Sequence, residues 1–174
     1  MSSIPTILNM CVSRSQDSME LLEELGESTL GVQVTRFPVQ QCGTGRTIPT
    51  EDLFRKPLDQ IPLHCPGFEV IYHHDKQVYP CCSPPIFETK MTLGAVGETN
   101  HEGYVKRLEQ NALLAVIQRR DLGWFVEKIR EKNPEAPVAQ MESAVSACDV
   151  CAQVLNDRKS LELLRDDILA EAMA

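Results

Sequence analysis

Residues 65–82 read CPGFEVIYHHDKQVYPCC, and this stretch predicts an antiparallel hairpin with cysteines at its base. Aromatic and β-branched residues dominate 68–72 and 78–79, and the polar residues 73–76 between them suit a turn. Two strands of about six residues and a short turn fill the interval between Cys65 and Cys81. The hairpin is therefore expected to bring these two cysteines together.

A second pair of cysteines lies near the end of the chain, in Cys148-Asp149-Val150-Cys151. This spacing lets both thiolates face one metal centre, so four thiolates can converge with those of Cys65 and Cys81. Iron-sulfur clusters and structural zinc both use such a set, and spacing does not separate them. Reduced, purely structural thiols are a third alternative. Because adjacent residues of an extended segment point oppositely, Cys81 is preferred over Cys82 as the ligand.

The composition restricts the class of protein. The chain has 174 residues, 43% of them hydrophobic and 24% charged, which predicts a globular domain, alone or with an appendage. A net charge of -8 argues against nucleic-acid binding. The sequence contains neither a membrane-spanning apolar run nor a secretion signal at its N-terminus. The odd number of cysteines, 7, then indicates thiols or metal ligands in a reducing cytoplasm.

The first part of the chain predicts a βαβ unit. Residues 5–12 are largely apolar and suit a strand covered on both faces, with Cys11 as a small core residue. A helix is expected from Ser18 to Gly26, followed by a second strand over 31–37 and a right-handed crossover. The predicted fold class is therefore α/β, or α+β when the later helices are included.

The remaining segments predict connections and helices. Residues 41–46, QCGTGR, lack the Gly-Lys-Ser/Thr ending of a phosphate loop and favour a simple turn. Residues 47–64 contain three prolines and suit a linker. The chain is expected to be helical from Asn100, with an interruption at Asn133-Pro134 and a final helix over 160–173. His73 and His74 are expected to be solvated turn residues, and His64 to lie beside the metal site.

The order of these features resembles a known family. Cys65, the hairpin, Tyr79-Pro80-Cys81-Cys82, Leu93-Gly94-Ala95-Val96, the helices and Cys148-x-x-Cys151 are similar to the twitch or SPASM C-terminal extension of radical SAM enzymes. Residues 5–37 resemble the last strands and helix of the partial barrel of that family. The chain departs from the pattern at Asp75-Lys76, where Asp-Gly is common, and it lacks the cysteines of a second auxiliary cluster. It also contains no CxxxCxxC motif, which binds the catalytic cluster in that family.

The resemblance implies an architecture and a ligand set. Residues 1–46 would form a βαβ fragment of a partial TIM-type barrel, 47–64 a linker, and 65–174 the auxiliary-cluster domain with its hairpin and C-terminal helices. Cys65, Cys81, Cys148 and Cys151 would hold one 4Fe-4S cluster.

The resemblance also implies a function, an auxiliary-cluster module that supports substrate binding or electron transfer in a radical SAM reaction. S-adenosylmethionine would be supplied only through a partner subunit or an N-terminal half that carries the catalytic cluster, and the substrate would be a peptide or a small molecule. The chain by itself is not expected to cleave S-adenosylmethionine, and whether it is part of an enzyme stays open. The alternative function is a non-catalytic, zinc-stabilised protein-interaction module.

Overall fold

The computed structural model describes residues 6–15 and 32–174. The chain divides into two compact units, Met1–Arg55 and Lys56–Ala174, here unit one and unit two. The predicted helix from Ser18 to Gly26 and the handedness of its crossover lie outside the described residues. The described elements combine small sheets with C-terminal helices, which confirms the predicted mixed fold class. The finer division into 1–46, 47–64 and 65–174 stays a prediction.

Unit one contains two parallel strands, β1 (Thr6–Val12) and β2 (Val32–Pro38). Their parallel register places Cys11 opposite Phe37. The expectation that β1 is covered on both faces is wrong within the described residues, because Met10 and Val12 are buried whereas Ile7 and Cys11 are exposed. Successive side chains of a strand point to opposite faces, and one face of this sheet is open. Cys11 is therefore not the core residue that was predicted.

The glycine-rich loop of unit one forms a tight turn, as expected. Residues Gly43–Thr47 make a short 3-10 helix, and a second one covers Thr50–Asp52. A Cβ atom at Gly45 would come within 2.0 Å of the Gln40 carbonyl oxygen, so this close approach requires glycine.

Unit two begins with a two-residue strand, β3 (Lys56–Pro57). The predicted hairpin follows and is formed by β4 (Ile71–Tyr72) and β5 (Gln77–Tyr79). The strands are shorter than the six residues expected, although the Glu69 backbone N–H also donates to the Pro80 carbonyl at 2.8 Å. Strand β6 (Gly94–Ala95) pairs with the other side of β5. The turn ends at Lys76, whose φ of 66° is the left-handed conformation that glycine adopts most easily.

Five helices follow, with the short strand β7 among them pairing antiparallel with β3. The helices are α1 (His101–Glu109), α2 (Ala112–Lys132), α3 (Ala147–Asn156), α4 (Arg158–Leu163) and α5 (Arg165–Met173). Strand β7 (Ser143–Ala144) lies between α2 and α3. Side chains of Asn100, Asn111 and Asp157 accept hydrogen bonds from first-turn N–H groups of α1, α2 and α4. The expected single helix over 160–173 is divided at Leu164 into α4 and α5.

Helix α2 bends at Asp121, where φ is 67° and ψ is 178°. The Asp121 carboxylate accepts hydrogen bonds from the backbone N–H groups of Gly123 at 2.7 Å and Trp124 at 3.3 Å. Asp121 thus caps the second half of the helix from within. The Leu122 N–H, freed by the bend, donates to the Leu63 carbonyl at 3.0 Å.

The core of unit two lies among α2, α3 and the last two helices. Its fully buried side chains include Ile117, Phe125, Ile129, Val150, Val154 and Leu164. Leu169 of α5 is 43% exposed, next to the buried Ile168. None of the helices in the described ranges combines the length and apolar character that crossing a bilayer requires.

Candidate metal centre

The cysteines Cys65, Cys81, Cys148 and Cys151 line one cavity of unit two. Its volume is about 50 Å³, several times the roughly 10–15 Å³ that one water molecule occupies on the same measure. The structure therefore brings together the four residues that the sequence singled out.

Two structural elements position these thiols. The hairpin ladder, extended by the bond between Glu69 and Pro80, holds the segments of Cys65 and Cys81 side by side. Cys148 and Cys151 lie three residues apart in the first half of α3, so they share one face of that helix. Helix α3 packs against α2 and against the 3-10 helix Pro84–Glu88, which follows the hairpin.

Apolar side chains make up most of the remaining wall. Phe68, Ile86 and Leu122 line the cavity with Pro66, Ala147 and Ala152, and His64 and Ser83 complete its lining. Leu122 and Ile86 are almost fully buried. Sequence patterning did not select these residues, because an apolar side chain that faces a cavity has the same periodicity as one that faces the core.

The surroundings of Cys65, Cys81 and Cys151 disfavour the charged thiolate form of these residues. Burial raises the pKa of the Cys151 thiol to about 12, and the neighbouring thiols of Cys81, Cys65 and Cys148 add to the increase. Burial likewise raises the pKa of Cys81 to about 11, opposed by a backbone hydrogen bond at Ser83 and assisted by Cys148 and Cys65. Burial also raises the pKa of Cys65, although a backbone hydrogen bond at Gly67 lowers it in part. The thiols thus influence one another electrostatically, and a bound cation would favour their ionised forms.

The donor set suits a thiolate-bound metal group. Four soft sulfur donors in an apolar enclosure are what iron-sulfur clusters and structural zinc require. Within residues 6–15 and 32–174, no three His, Cys, Asp or Glu side chains are grouped in the manner of a site for a single ion. The four thiols surround a cavity instead. Cys148 lies in the first turn of α3.

Cys82 lies outside the lining of this cavity. The residue is exposed, although its thiol is partly desolvated. This desolvation raises the pKa of the thiol, and Glu69 adds to the increase through a hydrogen bond and its negative charge. The alternation expected for adjacent residues is thus visible, with Cys81 lining the cavity and Cys82 in solvent. The preference for Cys81 as a ligand stays a prediction. Cys11 and Cys42 belong to unit one.

The three histidines near the hairpin have different surroundings. His64 lines the cavity, and His74 is exposed as expected. The expectation that His73 is a solvated turn residue is wrong. Its ring stacks on Phe87 at a centroid distance of 4.1 Å, and its Nδ1 lies 3.0 Å from the Asp75 carboxylate. The 3-10 helix after the hairpin supplies Phe87, a contact between segments that local sequence does not reveal.

These features define a class, a mixed α and β protein with four cysteines around an apolar cavity. No family model matches the chain. Over 157 residues the chain is 38% identical to YydG of Bacillus subtilis (strain 168), which carries the provisional name of a peptide biosynthesis protein. The match covers 88% of this chain and 49% of YydG, so the chain spans about half the length of that relative.

Proposed function

We propose that this chain is an auxiliary-cluster module of radical SAM type, in which Cys65, Cys81, Cys148 and Cys151 hold one 4Fe-4S cluster. The observation that carries the proposal is that these four cysteines line one cavity. Their order around a hairpin and a returning CxxC is the pattern that resembles the twitch and SPASM extensions. The relation to YydG, a protein named for peptide biosynthesis, is compatible with a peptide as the substrate.

The lining of the cavity supports a cluster. In a 4Fe-4S cube each cysteine binds a different iron, so the four sulfur ligands stand around the cube rather than on one atom. Four thiols that line one cavity suit this arrangement. The apolar walls formed by Phe68, Ile86 and Leu122 would limit access of water, which is one of the factors that set the reduction potential.

When bound, the cluster would supply electron transfer or a point of attachment for a substrate. The chain's own residues would hold it and exclude water from it. Activation of S-adenosylmethionine would belong to a segment or subunit with the CxxxCxxC motif, because these 174 residues do not contain it. The reducing environment that free thiols need favours a cytoplasmic location, which stays a prediction.

Structural zinc is the second candidate, because four thiolates are also a complete ligand set for tetrahedral Zn²⁺, but it would require the thiols to come closer together than they lie among the described residues. In that case the hairpin and the helices would form a non-catalytic surface for a protein partner. The two candidates differ in metal and in sulfide content.

The decisive measurement is metal and acid-labile sulfide content after anaerobic purification, together with the absorption spectrum. We expect about four irons and about four sulfides per chain. Cys148→Ala and Cys151→Ala should each lose most of this iron, whereas the control Cys11→Ala, at an exposed position of unit one, should retain it. Zinc without sulfide would contradict the cluster and favour the interaction module.

The same assay distinguishes the two adjacent cysteines. Cys81→Ala should lose iron, and Cys82→Ala should keep it, because Cys81 lines the cavity and Cys82 is exposed. The opposite result would make Cys82 the ligand.

A further inference from the structure

The bend of α2 at Asp121 has an unusual backbone conformation. Its φ of 67° and ψ of 178° fall in a region that is almost restricted to glycine. Another residue keeps such a conformation only where its surroundings stabilise it, and residues of this kind are concentrated at functional sites. The segments that the bend contacts are therefore informative about its role.

The bend contacts the segment that carries Cys65. The Leu122 N–H donates to the Leu63 carbonyl at 3.0 Å. A Cβ atom at Gly123 would lie 3.6 Å from Leu63 Cδ1, so the side chain of Leu63 also lies beside the bend. In a straight helix the Leu122 N–H would bond to the Gln118 carbonyl, four residues earlier. The bend is what makes this N–H available to Leu63.

The segment around Cys65 has little other backbone support. Among the residues that the structure describes, the backbone of 62–68 makes one hydrogen bond to other backbone groups, which is the bond from the bend to Leu63. Pro62 and Pro66 stiffen the segment, because proline has a fixed φ and restricts the preceding residue to extended conformations. Cys65 follows Leu63 by two residues, about 7 Å of extended chain. An anchor at Leu63 therefore limits where the Cys65 thiol can lie.

The same bend shapes the wall of the cavity. The side chain of Leu122 is almost fully buried and lines the cavity together with Cys65. The Asp121 carboxylate stabilises the bend by accepting hydrogen bonds from the Gly123 and Trp124 N–H groups. One carboxylate thus supports the backbone conformation on which both a wall residue and a cysteine of the cavity depend.

We propose that Asp121 is a positioning residue for the metal centre, because its bend directs the Leu122 N–H to the Leu63 carbonyl and so holds Cys65 at the cavity. Asp121 is not among the described residues that line the cavity. An alanine here has no side-chain acceptor and disfavours the positive φ, so residues 118–122 would form a more regular helix and release Leu63. The inference rests on the proposed function, because it takes Cys65 as one of the ligands.

The test uses the full chain as purified anaerobically, treated with iodoacetamide in the presence of a metal chelator. Peptide mass spectrometry gives the alkylation rate of each cysteine. Asp121→Ala should raise the rate at Cys65 about fivefold, the size expected for the loss of one hydrogen bond. The rates at Cys148 and Cys151, which α3 holds, should stay as in the unsubstituted chain. Asp121→Asn keeps an acceptor for the two N–H groups and should retain the low rate at Cys65.

Two further variants separate positioning from stability. Ile129→Val removes a methyl group from the buried core of unit two, so it should lower the stability without a selective change at Cys65. Gly123→Ala places a Cβ atom 3.0 Å from the Asp121 carboxylate and so disturbs the cap. Because alanine favours a helix more than glycine does, this variant should fold and still raise the rate at Cys65.

Circular dichroism and thermal denaturation verify the fold of each variant. An increase shared equally by Cys65, Cys148 and Cys151, or one reproduced by Ile129→Val, would overturn the proposal, because it would report a general loosening of unit two. If Asp121→Ala does not fold, Gly123→Ala decides, and an unchanged rate at Cys65 in that variant means that the proposal is wrong.

Iron and sulfide are measured in the same samples, which separates this inference from the proposed function. A selective response of Cys65 in a chain without iron would support the positioning role and contradict the cluster. A chain that holds about four irons but shows no selective response of Cys65 would support the cluster and contradict the positioning role.

Discussion

The two units differ in how they bury their apolar residues. In unit two, Phe125, Ile117 and Val150 lie in a core enclosed by helices, and each of them is 0% exposed. In unit one, the described strands bury Met10 and Val12 on one side, while Phe37 is 48% exposed on β2. Among residues 6–15 and 32–55, no third strand pairs with β1 or β2.

This difference indicates how each unit is stabilised. Parallel sheets are normally covered on both faces, and a pair of strands with an open face gains little from burial. The helices of unit two enclose their own core, so this unit depends less on further protein surface. Unit one is the region where additional strands or helices would contribute most.

The largest expected effect comes from substituting one phenylalanine in each unit. Phe125→Ala should reduce the free energy of unfolding by about 3–5 kcal/mol, because it creates a cavity in the closed core. Phe37→Ala should change it by less than about 0.5 kcal/mol, because its side chain already meets solvent. Chemical denaturation of both variants measures the two values. Equal losses would mean that the contrast between the units is wrong.

A smaller effect is expected at the bend of α2. Asp121→Ala should cost about 1–2 kcal/mol, because it removes the acceptor for the Gly123 and Trp124 N–H groups at a residue with positive φ. The control Asp121→Asn keeps a side-chain acceptor for these N–H groups, so it should cost less. Thermal denaturation of both variants gives the order of their stabilities. An alanine variant as stable as the asparagine variant would show that the cap does not stabilise the core of unit two.

The smallest effect concerns the hairpin turn. Lys76→Gly should stabilise unit two by up to about 1 kcal/mol, because glycine adopts the observed φ of 66° without steric cost. The gain is limited by the greater freedom of glycine in the unfolded chain. Gln77→Gly, at a neighbouring strand position, should destabilise the protein and serves as the control. A loss of stability in Lys76→Gly would show that the lysine side chain makes a contact worth more than the backbone cost.

Much of the candidate site was predictable because its geometry is local. The hairpin pattern brings Cys65 near Cys81, and helical spacing places Cys148 and Cys151 on one face, whatever the rest of the fold. The meeting of these two pairs depends on how α3 packs against the segment after the hairpin, which is a tertiary property. The stacking of His73 on Phe87 escaped prediction for the same reason.

The sequence by itself determined the mixed fold class, the hairpin, the helical C-terminal part and the cysteines of interest, since periodicity and spacing act over a few residues. Only the tertiary structure decided that Cys11 and Leu169 are exposed, that Phe68 lines the cavity of the four cysteines, and that α2 bends at Asp121. These properties depend on which surfaces of distant segments meet. An apolar residue carries no local record of whether it will face a core, a cavity or solvent.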